Sequence, residues 1–165
     1  MSLLMLQITE RLKSSHQHDD RLVLPFDRRQ KSRLRVTLAS GTEAALILER
    51  GTVLRGGDYL RADDARTILV VAADESVMYV TATTPQQLMR ATYHLGNRHV
   101  PLQIGDGWLQ LEQDHVLEAM LIGLGVTVTH QHAPFEPEAG AYGGGHRHHD
   151  DNAATLRPPL RLRTP

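Results

Sequence analysis

The sequence predicts an α+β protein of two domains. An all-β sandwich or partly open barrel spans residues 1–74, a ferredoxin-like β-α-β-β-α-β domain spans 76–142, and a flexible histidine-containing tail covers 143–165. Three observations predict it. Short apolar runs separated by turn residues fill the first half without a helical period. Two capped helical stretches interleave with strand-like runs between Ser76 and His132. From Ala133 onward, proline and glycine interrupt every period.

The first strand follows from Leu4, Leu6 and Ile8, which alternate with Met5, Gln7 and Thr9. "LVLPF", 22–26, is a short apolar run stopped by proline. "RLRVTLASGTEAALIL", 33–48, carries a hairpin signal, with alternating Leu34, Val36 and Leu38, a turn at Ser40-Gly41 and an apolar return. "RGGDYL", 55–60, contains a tight turn, "TILVVAA", 67–73, is a buried-type strand, and "AADES", 72–76, is the expected linker. "SVMYVTAT" alternates as a strand over 76–83. Thr84 then caps a helix with Pro85 in its first turn and Gln87 completing a capping box; Gly96 is the expected end. "HVPLQI", 99–104, and "WLQLE", 108–112, flank the turn "GDG". Asp114 caps a second helix through Val116, Leu117, Met120, Leu121 and Leu124, ended by Gly125, and "VTVTHQH", 126–132, is the last strand. Two helices on one face of a four-stranded antiparallel sheet bury both apolar stripes.

Composition narrows the function. Eighteen Lys+Arg against nineteen Asp+Glu give a net charge of −1, and aromatic residues make up 4%. That balance provides no drive toward nucleic acid and few stacking platforms. No apolar run approaches the roughly 20 residues of a membrane span, and no signal-peptide region is visible, so the expected location is cytoplasmic. The chain has no cysteine but ten histidines. Imidazole without thiolate suits Ni²⁺, Cu²⁺, Co²⁺ or Zn²⁺. HExxH, GxSxG and GxxxxGK[ST] are all absent, so no enzymatic activity and no catalytic residue are expected.

The candidate ligands fall in three places. "GGGHRHHDD" brings together His146, His148 and His149 behind glycines that let several imidazoles converge on one ion. His99 follows the first helix at a strand that Pro101 assigns to a sheet edge, and His115 opens the second helix. His130 and His132 share one strand face as an ordinary solvent-facing row, and His94 suits a helix C-terminus. His16 and His18 flank a loop, and the basic stretch 27–35 reads as a solvated strand face. A borderline divalent ion takes about four to six N/O ligands, more than one folded chain offers. A two-fold homodimer with His99 near its axis doubles the supply. Tethered tails complete it at an effective concentration of about a millimolar. Imidazole binds metal only when neutral, so occupancy should fall on acidification. Such an exchangeable site suits a carrier; a general histidine-rich buffer of Ni, Cu or Zn and a metal-dependent hydrolase are the rival readings.

"RGTVLRGGDYL", 50–60, "GNRHVPLQ", 96–103, and "DHVLEAMLIGLGVTVTHQHAPFEPEAGAYGGGHRHH", 114–149, closely resemble the UreE family of urease accessory proteins, which are nickel metallochaperones. The resemblance covers nearly the whole chain. It implies an N-terminal domain of peptide-binding type, a ferredoxin-like metal-binding domain, and a homodimer whose two His99 side chains share one Ni²⁺. It also implies delivery to apo-urease during urease maturation, in a complex with the urease accessory GTPase and other urease accessory proteins. Some members carry an HxH pair at the start of the second helix; here that motif is Gln113-Asp114-His115, and only His115 carries over.

Overall fold

The computed structural model describes residues 5–14 and 17–140. The N-terminal half forms a six-stranded sheet from β1 (Leu6–Leu12), β2 (Asp20–Leu24), β3 (Arg33–Thr37), β4 (Glu43–Ile47), β5 (Tyr59–Ala62) and β6 (Thr67–Ala72). The strand order is β2-β6-β5-β1-β4-β3. β1 runs parallel to β4 and β2 parallel to β6; the other pairs are antiparallel. Alternate residues such as Ile8, Leu22, Leu46, Leu60 and Ile68 turn inward and form one apolar core. The sheet curls until its outer strands meet at one end, where the Ala39 amide donates to the Arg21 carbonyl at 2.9 Å. It is a partly open barrel, as the turn spacing predicts.

Asp20 latches that seam. Its buried carboxylate accepts from the amides of Arg21 and Ser40 and from the Ser40 hydroxyl. Burial alone would raise its pKa, but these hydrogen bonds and nearby Arg66 outweigh it and hold the group below its usual 3.8. A depressed carboxyl stabilises the fold above its unfolded pKa and loses that contribution as pH falls through the folded one. Asp20→Ala should therefore lower stability at pH 7 by about 1–3 kcal/mol. In urea titrations the gap to the parent should narrow as the pH is lowered through the carboxylate range.

The second half forms a four-stranded sheet from β7 (Asp74–Thr81), β8 (Gln103–Gly105), β9 (Trp108–Glu112) and β10 (Thr127–Pro134), in the antiparallel order β10-β7-β9-β8. This is the ferredoxin-like arrangement. α2 (Pro85–Asn97) and α3 (His115–Gly123) pack their inner faces on it around Met78, Val80, Leu95, Leu109 and Leu121. Thr84 caps α2 by accepting from the Gln87 amide, and Asp114 caps α3 by accepting from Val116 and Leu117.

The structure departs from the sequence expectation at several points. β7 begins at Asp74 with a single residue between it and the end of β6 at Ala72, so the expected linker at 72–76 is almost all strand. β5 and the short α1 (Phe26–Arg29) are additional elements. The expected strand 99–104 shrinks to Gln103–Gly105, because Pro101 has no amide to pair and His99 is left-handed, at φ 55°. The chain after Ala133 is packed rather than open. Phe135 is fully buried and meets Phe26 edge to face at 5.6 Å, in a cluster with Val77 that joins the two domains. The tail expected to be flexible, 143–165, lies outside the described residues.

Candidate metal centre

Topology carries most of the described histidines to one end of the second domain. β8 runs parallel to β7, since both are antiparallel to β9. The intervening α2 must therefore run back, and its C-terminus, followed by His99, returns to the end where β7 starts. β9 finishes at Glu112 opposite Val77, and His115 begins α3 immediately afterward. On β10, His130 lies opposite Met78 and His132 opposite Ser76. His94, His99, His115, His130 and His132 thus collect around one rim.

The local geometry of His99 is specific. α2 runs through Asn97, one residue past the expected stop at Gly96, and Arg98 is its C-cap. His99 donates its amide to the Gly96 carbonyl at 2.9 Å, and Val100 donates to Leu95 at 3.2 Å. These two bonds form a Schellman motif, with Leu95 and Val100 both packed in the core. α3 ends in the same way, but there Gly125 occupies the left-handed position, at φ 83°. At the equivalent place α2 has His99, at φ 55°. A non-glycine residue there costs about 1–2 kcal/mol. The cap fixes the direction in which the exposed imidazole leaves the backbone.

His115 is exposed in the first turn of α3. One turn on, Glu118 Oε1 lies 2.9 Å from His130 Nε2, and His132 Nδ1 lies 3.3 Å from the Ser76 hydroxyl. At this rim Glu112 is held above the usual carboxylate range, mainly by burial and then by Glu75 and Asp27. Those carboxylates favour a cation nearby. Even so, among the described residues no three His, Asp or Glu side chains converge to hold a metal ion. His146, His148, His149 and also His16 lie outside the described residues.

The last described residues, Glu138, Ala139 and Gly140, lie along a groove of the first domain lined by Thr9, Arg11 and Val53. The Glu138 amide donates to the Leu102 carbonyl at 2.7 Å, three residues beyond His99.

The group that holds this segment in place belongs to the basic stretch expected to be a solvated strand face. Arg29, fully buried, donates Nε to the Leu24 carbonyl and Nη1 to the Leu54 carbonyl. It also binds the Glu136 carboxylate and the Phe135 carbonyl. Burial pulls its guanidinium below the ordinary value, opposed by Glu136 and Glu75. The available signal was "PFEP", an aromatic residue and a glutamate between two prolines, which is poor composition for an open linker. Among the described residues no helix is long and apolar enough to cross a membrane.

Comparison with known proteins gives a consistent set of matches. Residues 5–73 match the family model of the UreE urease accessory protein N-terminal domain, and residues 75–156 match that of its C-terminal domain. The chain is 62% identical over 131 residues, 79% of its length, to the urease accessory protein UreE of Ralstonia nicotianae, and it spans 62% of that protein. To the urease accessory protein UreE of Nitrosospira multiformis it is 49% identical over 150 residues, covering 90% of this chain and 85% of the relative. The corresponding protein of Burkholderia orbicola is 58% identical over 130 residues, and the match spans 64% of its length.

Proposed function

This chain belongs to the UreE urease accessory protein family, and from that premise we propose that it carries Ni²⁺ as cargo and delivers it to apo-urease during urease maturation. The observation that carries the reading is the rim of the second domain. It presents His99 in a costly left-handed cap, with His115 nearby, yet assembles no set of three donors from the described residues.

Symmetry supplies the missing ligands. A homodimer that brings two His99 side chains together gives one ion two fixed imidazoles, and His115 adds a donor at the same rim. Exposed Met89 and Tyr93, one turn apart on α2, offer apolar surface for the partner copy. His146, His148 and His149 capture ions and complete the shell. Tethered ligands exchange in succession, so the ion is transferred without ever being fully released. The chain acts as a cytoplasmic chaperone rather than an enzyme, in a complex with the urease accessory GTPase and other urease accessory proteins. The same ligands accept Cu²⁺, Zn²⁺ or Co²⁺. Copper binds such donors more tightly, so metal availability and partner select nickel.

A pull-down with the nickel-loaded chain as bait, from extract containing urease subunits and accessory proteins, tests the client. Recovery of urease subunits with the GTPase is the expected result. Recovery of neither would reduce the protein to a general metal buffer.

A further inference from the structure

The arginines of the first domain fall into two groups. Arg11 bonds Asp58 at 3.0 Å, Arg66 bonds Asp64 at 2.6 Å, and Arg61 lies 3.9 Å from Glu10. Arg28, Arg33 and Arg35, from α1 and β3, form no ion pair with any described residue. The sheet itself sets this up. β3 is an outermost strand, and its alternate residues Leu34 and Val36 turn toward the core. Arg33 and Arg35 therefore share the outer face, and both are exposed. The register places Ile47 of β4 beside Arg33 and Ala45 beside Arg35, and Gln7 of β1 follows beyond Ala45. None of these neighbours carries charge. Arg28 joins from α1 and donates Nη2 to the Arg35 carbonyl at 2.9 Å. Along β4 the carboxylates lie beyond the two ends of this face. Glu43 stands beside Thr37 and accepts from its hydroxyl, and Glu49 follows two residues after Ile47. Asp27, next to Arg28 in sequence, is close enough to the second domain to raise the pKa of Glu112.

We propose that the outer face formed by Arg28, Arg33 and Arg35 docks a short acidic segment of a protein partner. Like charges on alternate residues of one strand stand about 7 Å apart and repel each other. Carboxylates at the same spacing on an extended segment turn that repulsion into attraction. Each guanidinium presents a planar fork that bonds a carboxylate through two parallel N–H donors. The half-buried Ile47 and Ala45 give the arginine stems and the partner's own side chains an apolar surface to rest on. Arginine beside aliphatic surface is the composition of a protein interface. Nucleic acid fits this face less well. It offers no exposed aromatic ring for base stacking, and Glu43 and Glu49 oppose a continuous chain of phosphates at its two ends. The first domain then contributes partner binding, while the histidine rim belongs to the second.

The test is fluorescence anisotropy of a labelled peptide that alternates glutamate with threonine, titrated with the full chain at low ionic strength, where screening is weak. The parent should bind the peptide. Arg33→Gln with Arg35→Gln should weaken binding about tenfold or more, because charge-assisted contacts are lost at both positions. Arg61→Gln with Arg90→Gln removes two exposed positive charges elsewhere and should leave the affinity within about twofold. All four side chains are exposed, so both double variants should fold, which thermal unfolding checks. Absence of binding by the parent would overturn the proposal. Equal weakening in the two double variants would overturn it as well, since that is the mark of a general charge effect. So would a single-stranded DNA that displaces the label as well as unlabelled peptide does, because the face would then select negative charge rather than an acidic protein segment. The measurement uses no metal, so its failure would leave the proposed nickel site standing.

Discussion

Replacing His99 with glycine is expected to abolish the tightest nickel-binding event while leaving the protein at least as stable as the parent. The two effects have separate origins. In the proposed dimer the change removes two donors from one ion. Altering outer-shell partners of a metal typically costs 10–100-fold in affinity, so loss of two direct ligands should exceed about 100-fold. The fold gains instead. Position 99 is the left-handed residue of a Schellman cap, at φ 55°, and α3 fills the equivalent place with Gly125. Glycine there relieves backbone strain at some cost in chain entropy, for a net gain of about 0.5–1 kcal/mol. Isothermal titration at neutral pH and thermal unfolding of the apo-protein measure both. Most single-site losses of binding come with a loss of stability. Opposite signs at one residue would identify His99 as held in place for its imidazole. If the tightest event survives, the central-site assignment is wrong.

Arg29→Met should be the most destabilising of the substitutions considered. The guanidinium is completely buried and bonds three backbone carbonyls and one carboxylate. Methionine fills similar volume but leaves these acceptors unpaired. Glu136, whose side chain is only 29% exposed, loses its ionic partner. Breaking one side of a buried pair costs about 3–5 kcal/mol, mostly through the charge left behind. Urea unfolding of the apo-protein should show a loss of that size. Adding Glu136→Gln should restore part of it, because the stranded charge is then removed. A loss below about 1 kcal/mol would mean that the domains stay docked without this guanidinium.

The sequence made the folded elements legible to different degrees. Both helices of the second domain could be read from their N-caps, because Thr84 and Asp114 act within three residues of themselves. The strand order was legible as well, since four strands and two helices in this sequence order have few ways to bury both helix stripes. The exit of α2 was not. Gly96 is the residue that ordinarily ends a helix, and nothing local tells that the chain continues to Asn97 and turns at a histidine instead. Arg29 was misread for a related reason. It sits in a basic run in which Lys31, Arg33 and Arg35 are exposed, and two of its four partners, Phe135 and Glu136, lie more than one hundred positions away. Long-range pairing of this kind leaves no periodic trace. The proposed metal ligands were read from residue type and from resemblance. Their gathering at one rim follows only from the antiparallel register of β7, β9 and β10.

Native mass spectrometry of the full chain with added Ni²⁺ shows whether nickel binding requires two chains, because it reports subunit number and bound ions in the same spectrum. Nickel should appear on dimers, with the first ion shared by two chains, and should disappear from dimers of His99→Gly. A monomer that retains nickel as firmly as the dimer would contradict the shared site.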